Sequence, residues 1–282
     1  MPGSSLVLSA PAKINLWLRL LGKRPDGFHE VETRMCPISV ADQVTVSLRE
    51  DDKVTLTCSD PTVPTDESNL AMKALRAYEA KTGKRRGWDI HLEKKIPHGA
   101  GLGGGSSDAA SVLEAVNQLS GKPLQLSALA AVAGQIGSDV PFFLYRRACD
   151  ASGRGETIQL VADFPWQFSL VLIKPPFGIP TAWAYREWAA STEQSGVLYA
   201  PQGCAWGAMV NHLERPVFQK YTMLSTLKMW FLDQAETTAA LMSGSGSTVY
   251  AITRSAVAAQ SLAEKARQLC GESSWIQVAQ TL

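Results

Sequence analysis

Apolar and polar residues alternate over residues 6–20, with Ile14, Leu16, Leu18 and Leu20 on one side and Lys13, Asn15, Trp17 and Arg19 on the other. A period of two belongs to a strand, here one whose second face carries polar groups. Pro25-Asp26-Gly27 is a turn signal, and residues 43–48 and 53–58 are further strands. Leu70, Ala74, Leu75 and Tyr78 recur at helical spacing over residues 69–82, and Gly83 stops the pattern. Alternation returns over residues 88–96. Ala109, Val112, Leu113 and Val116 then mark a helix, starting at Ser106 or Ser107, that Gly121 and Pro123 end.

Residues 126–136 form another helix, and residues 140–144 read as a buried extended segment. Beyond Asp150 come a strand (167–174), a helix (181–188), a polar connector (191–207), a Ser-Gly turn (243–247), a strand (249–253) and an Ala-rich helix (256–269). Strands and helices mix without regular β-α-β alternation, which predicts an α+β fold. Two subdomains are expected, residues 1–150 carrying the nucleotide loop and residues 151–282 completing the substrate wall.

Composition narrows the function. At 45% hydrophobic and 19% charged, the 282 residues can bury a sizeable core. Lys and Arg number 27 against 26 Asp and Glu, so no bulk field draws nucleic acid or an anionic membrane, and any anion must be gripped locally. The five cysteines, Cys36, Cys58, Cys149, Cys204 and Cys270, are scattered without metal-site spacing, which predicts a reduced compartment and no structural zinc. No apolar run reaches the roughly 18 residues of a membrane span, so a soluble, cytoplasmic protein with no obligate protein partner is expected.

The strongest chemical signal lies between the strand over 88–96 and the next helix: Pro97-His98-Gly99-Ala100-Gly101-Leu102-Gly103-Gly104-Gly105-Ser106-Ser107-Asp108. Its glycines allow close backbone approach, and a helix N-terminus offers free N–H groups and a positive dipole end, so an oligophosphate suits it. A flexible linker is the alternative. The string matches G-x-G-x-x-G, but no acidic residue ending a parallel strand follows as a dinucleotide fold requires; nor is there a G-K-[ST] ending, an H-R-D or a D-F-G.

The loop resembles that of the GHMP kinases (galactokinase, homoserine kinase, mevalonate kinase, phosphomevalonate kinase). Pro11-Ala12-Lys13-Ile14-Asn15-Leu16 with Arg24-Pro25-Asp26-Gly27-Phe28-His29, then Gly137-Ser138-Asp139-Val140-Pro141-Phe142-Phe143 and Ser243-Gly244-Ser245-Gly246-Ser247, resemble one branch, the 4-diphosphocytidyl-2-C-methyl-D-erythritol kinases. That resemblance implies ATP as donor, Mg²⁺ as its counter-ion, and a small-molecule acceptor carrying a cytidine diphosphate group, phosphorylated at its 2-hydroxyl in isoprenoid precursor synthesis. Another alcohol, or a catalytically silent ligand-binding regulator, is the alternative.

Taken alone, Lys13 is a solvated strand residue, Asp139 equally a turn residue or a catalytic carboxylate, His29 a surface histidine, and Phe28 and Tyr185 core aromatics. The resemblance implies otherwise: Lys13 as the catalytic cation and Asp139 as the base. It implies that Pro97, Gly99, Ala100, Gly101, Leu102, Gly103, Gly104, Gly105, Ser106 and Ser107 cradle the phosphates, with Asn69 and Lys95 (or Lys94) beside the nucleotide. Asn15, Phe28, His29, Thr181 and Tyr185 would hold the cytidylyl substrate, Phe28 standing where the family pattern has tyrosine. The metal ligands are not legible; Ser107 and Asp139 are the candidates.

Overall fold

The alternation near the N-terminus builds one long strand, β1 (Ser5–Lys23), followed by β2 (His29–Leu48) and β3 (Val54–Cys58). Then come α1 (Leu70–Thr82), β4 (Trp88–Glu93), α2 (Gly104–Leu119), α3 (Leu126–Ile136), α4 (Val140–Tyr145), β5 (Cys149–Ser152), β6 (Thr157–Leu160), β7 (Ser169–Lys174) and α5 (Thr181–Glu187). The chain closes with β8 (Gln202–Cys204), β9 (Gly207–Asn211), α6 (Glu214–Lys220), α7 (Thr222–Leu232), β10 (Thr237–Met242), β11 (Val249–Thr253), α8 (Ala256–Cys270) and β12 (Trp275–Gln280). These elements come from a computed structural model that describes residues 4–282.

Two compact units share the chain. The first holds the segment ending at Ala12, Val40–His98 and Gly103–Arg147; the second holds Lys13–Ser39, Gly99–Leu102 and Ala148–Leu282. Besides the residues after Arg147, the second unit takes Lys13–Ser39 and the first half of the glycine loop.

In the first unit β4 pairs parallel with β3 and antiparallel with the second half of β2, from Gln43↔Glu93 to Leu48↔Trp88. Helices α1 to α4 pack on one another, with Leu75, Tyr78, Val112, Leu113 and Phe142 buried. Asn69 caps α1 by accepting from the Ala71 amide, and Gly83 ends it in the left-handed conformation.

In the second unit β1 pairs parallel with β9 at Trp17↔Val210 and Leu18↔Asn211, while β2 pairs antiparallel with β5 over residues 33–35. A separate antiparallel sheet runs β10-β11-β7-β12. Its central strand β7 buries Leu170, Val171, Leu172 and Ile173, and Val171, Ile173, Val217, Phe218, Phe231 and Leu262 belong to one core. Each such side chain stabilises by about 1.5–3 kcal/mol relative to exposure.

Two expectations are corrected. Residues 140–144 are helical, in α4: Pro141 lies in its first turn, where a missing N–H leaves no bond unmade. The polar connector contains β8. Residues 29–39 also belong to a strand, the first half of β2, which carries Pro37 and an irregular apolar pattern.

Candidate active site

The glycine loop is built in two halves. Gly99–Leu102 lies against the turn between β10 and β11: Ala100 O accepts from the Thr248 amide (3.1 Å), Gly101 O from the Ser243 hydroxyl (2.9 Å), and Leu102 O from the Lys13 amide (2.9 Å). Gly101 has φ +74°, and a Cβ there would stand 2.2 Å from Ser243 O and 2.9 Å from Gly246 O. Only glycine allows that backbone-on-backbone approach.

The Lys13 ammonium donates to Asn15 Oδ1 (2.6 Å) and to Gly101 O (3.0 Å). Asn15 Nδ2 in turn donates to Thr33 Oγ1 (2.8 Å), the Thr33 hydroxyl to Trp17 O (2.6 Å), and the Tyr250 hydroxyl to Asn15 O (2.8 Å). Lys13 and Asn15 are each only 3% exposed, so this part of the polar face of β1 is interior rather than a solvated edge, while Trp17 and Arg19 farther along are half-buried. A buried ammonium is costly unless oxygens surround it, and this network supplies them.

In the same unit the His29 ring centroid stands 5.7 Å from that of Tyr185 and 5.9 Å from that of Trp188, the latter edge-on. Burial, with Lys23 adding to it, holds the His29 imidazole below its ordinary range. Thr181 opens α5 with its hydroxyl 2.9 Å from that of Ser245. Phe28 is 54% exposed, with the Arg154 guanidinium 5.0 Å above its ring. Trp188 was not singled out by the sequence; it lies just past α5, where helical spacing gives an aromatic no distinguishing mark.

The second half of the loop opens α2 in the first unit. Gly103 is its N-cap at φ +73°, and the helix starts at Gly104, ahead of the expected Ser106 or Ser107. Gly104 packs on Ile96, whereas a Cβ on Gly105 would meet nothing nearer than Leu70 at 3.8 Å. The first amides of α2, at Gly104, Gly105 and Ser106, have no partner within the helix, an arrangement chemically suited to receive an anion. Ser107 is fully buried, and its hydroxyl has no hydrogen-bond partner among the described residues.

Beneath that helix start, Lys94 bridges the carboxylates of Asp42 and Asp108. Asp42 Oδ1 also accepts from the amides of Lys95 (2.6 Å) and Ile96 (2.8 Å), fixing the backbone that leads through half-buried Pro97 into the loop. Burial, with Asp42 adding to it, pushes the Asp108 carboxyl up to about 7 against the pull of Lys94. Lys95 is exposed. The Asn69 side chain is engaged in capping and in donating to Pro64 O (2.6 Å). Asp139 is half-buried at the N-cap of α4.

No group of three or more His, Cys, Asp or Glu side chains among the described residues could enclose a metal. Mg²⁺ asks less of a protein: it keeps waters, takes phosphate oxygens and adds one or two protein oxygens. The unpartnered Ser107 hydroxyl and the Asp139 carboxylate are donors of that kind.

Residues 69–147 match the GHMP kinases N terminal domain and residues 204–272 the GHMP kinases C terminal domain. A 4-diphosphocytidyl-2-C-methyl-D-erythritol kinase of Methylacidiphilum infernorum is 42% identical over 86% of this chain and 84% of its own; one of Geobacter metallireducens is 36% identical over 98% of both. The crystal structure of a 4-(cytidine 5'-diphospho)-2C-methyl-D-erythritol kinase superposes with a TM-score of 0.78 at 33% identity, covering 97% of this chain and 99% of that one. On these grounds the chain is an α+β kinase that belongs to the 4-diphosphocytidyl-2-C-methyl-D-erythritol kinase family of the GHMP kinases.

Proposed function

We propose that the enzyme transfers the γ-phosphoryl group of ATP to the 2-hydroxyl of 4-diphosphocytidyl-2-C-methyl-D-erythritol. The observation that carries this reading is the buried Lys13 ammonium, donating to the carbonyl of Gly101 inside the glycine loop itself. Phosphoryl transfer asks a protein mainly for positioning and charge stabilisation. Asp139 takes the proton from the acceptor hydroxyl, whose oxygen bonds to the γ-phosphorus as the bridging bond to ADP breaks, and Lys13 stabilises the negative charge. Gly103, Gly104, Gly105 and Ser106 hold the phosphates by backbone amides. Mg²⁺, held by Ser107 or Asp139, would neutralise phosphate charge.

Residues 1–150 supply most of the ATP site and residues 151–282 the remaining substrate wall. His29 and Tyr185 receive the cytosine, with Asn15, Phe28 and Thr181 along the substrate. Geometry supports Lys95 and Asn69 less, since one is exposed and the other's side chain is engaged in helix capping. The scattered cysteines suit a reducing compartment, and no helix among the described residues is long and apolar enough to cross a membrane; we place the enzyme in the cytoplasm. Neither another alcohol nor a silent regulator is favoured by the relatives.

The test is a transfer assay with ATP and a panel of alcohols, the products identified by mass. The cytidylyl substrate should be phosphorylated, and Lys13→Met and Asp139→Asn should each lower kcat by about 100-fold or more. Parent-like turnover by Asp139→Asn would remove it from the mechanism. Tyr185→Ala should raise KM for the cytidylyl substrate roughly 5- to 150-fold, as the loss of one stacking partner implies, leaving KM for ATP unchanged.

A further inference from the structure

Among the buried polar side chains of the second unit that the reaction leaves unused are Glu214, Lys228 and Asn211. Glu214 and Lys228 are each 1% exposed and Asn211 2%. Lys228 donates to Glu214 Oε2 (2.6 Å) and to Leu198 O (2.5 Å), and Glu214 Oε1 accepts from the Met242 amide (2.9 Å). Asn211 Nδ2 donates to both Met242 O and Gly244 O (2.7 Å each), while its Oδ1 accepts from the Leu213 amide (2.9 Å). A buried ion pair is weak support for stability, because desolvation offsets most of its attraction. Three of these bonds, to Met242 N, Met242 O and Gly244 O, converge on the residues where β10 enters the Ser-Gly turn.

That turn is what Lys13 rests on. Gly244 has φ +55°, and a Cβ there would stand 3.2 Å from Lys13 Nζ and 3.2 Å from Gly101 O; Ser243, beside it, donates to Gly101 O. A shift of the turn would carry Gly101 O with it, and with it an acceptor of the ammonium. We propose that Asn211 is a positioning residue for phosphoryl transfer: by holding Met242 O and Gly244 O it fixes the turn that sets Gly101 and Lys13, with Glu214 and Lys228 clamping the same strand end. This rests on Lys13 being the catalytic cation. Simple stabilisation of β10 would need no bond to Gly244, which lies beyond the strand.

Asn211→Asp keeps an acceptor for the Leu213 amide but has no NH₂ group, so it can donate at most one of the two bonds. It should lower kcat about 100-fold, the cost of displacing a positioned group by about 1 Å, while KM for the cytidylyl substrate stays at the parent value. Leu262→Ala, on α8 in the apolar core of the same unit, should lose thermal stability and keep its kcat. Parent kcat in Asn211→Asp, or a loss no greater than that of Leu262→Ala, overturns the proposal. If Asn211→Asp fails to fold, Ser243→Ala decides: a kcat loss of roughly tenfold, as for one lost hydrogen bond, supports it, and parent kcat overturns it. Lys13→Met separates the two readings. Inactive Lys13→Met beside fully active Asn211→Asp defeats only this proposal, whereas active Lys13→Met defeats the role of Lys13 itself.

Discussion

The two halves of the glycine loop use one residue type for different ends. Gly99–Leu102 is pressed onto another stretch of backbone, and at Gly101 a single added carbon would overlap a carbonyl oxygen. Gly104, Gly105 and the residues after them open a helix, and at Gly105 an added carbon meets only ordinary contacts. A glycine in a sequence announces close approach or unusual φ but does not say to what. In the first half the approach is to the protein itself; in the second we assign it to phosphate.

This contrast can be broken by substitution. Gly101→Ala should have the largest effect, destabilising by at least about 1–3 kcal/mol for the left-handed backbone alone, with the clash in addition; urea denaturation measures it, and turnover should vanish with it. Parent-like stability would erase the contrast. Next comes the anchor beneath the second half. With the Asp108 carboxyl at about 7 in the folded chain against 3.8 unfolded, the folded protein retains a proton that the unfolded chain has released. Stability should therefore fall as pH rises through that window, and Asp108→Asn should flatten the slope. Urea midpoints at about pH 5 and about pH 8 would show it, and an unchanged slope would detach Asp108 from the effect. Smallest is Gly105→Ala. In the first turn of α2 it should leave stability unchanged or raised by up to about 1 kcal/mol, yet raise KM for ATP. Gly103→Val is a blunter probe of phosphate contact, because φ +73° strains any branched side chain whether or not ATP is bound.

The sequence made the bounded, strongly periodic elements legible. Leu70, Leu75 and Tyr78 with Asn69 and Gly83 at the ends specified α1, and Val112, Leu113 and Val116 specified α2. Residues 140–144 misled because an all-apolar run fits a buried strand or a buried helix equally, and only length and packing separate the two. Most of the second unit's later elements, such as α6 and α7, passed unread for lack of clear caps. The candidate site was named through motifs. What periodicity could not supply was which partner each side chain would meet: that Lys94 would be neutralised between Asp42 and Asp108, or that Trp188 would stand beside His29. Those contacts join residues distant in sequence, and local pattern carries no record of them.

The parallel pairing of β1 with β9 has a consequence for how the chain is made. Trp17 leaves the ribosome long before Val210, its partner across that edge. At about 5–20 residues per second the delay is roughly 10–40 s. During that time the nascent β1 presents an apolar strand without its later neighbour, a surface open to unwanted pairing. Lys13 waits similarly for Gly101 and for the turn at Ser243. The first unit needs nothing beyond Arg147 and can gather its helices while synthesis continues, whereas the second closes only as the last strands emerge. Nascent chains stalled before Val210 should therefore engage chaperones more than the finished protein does.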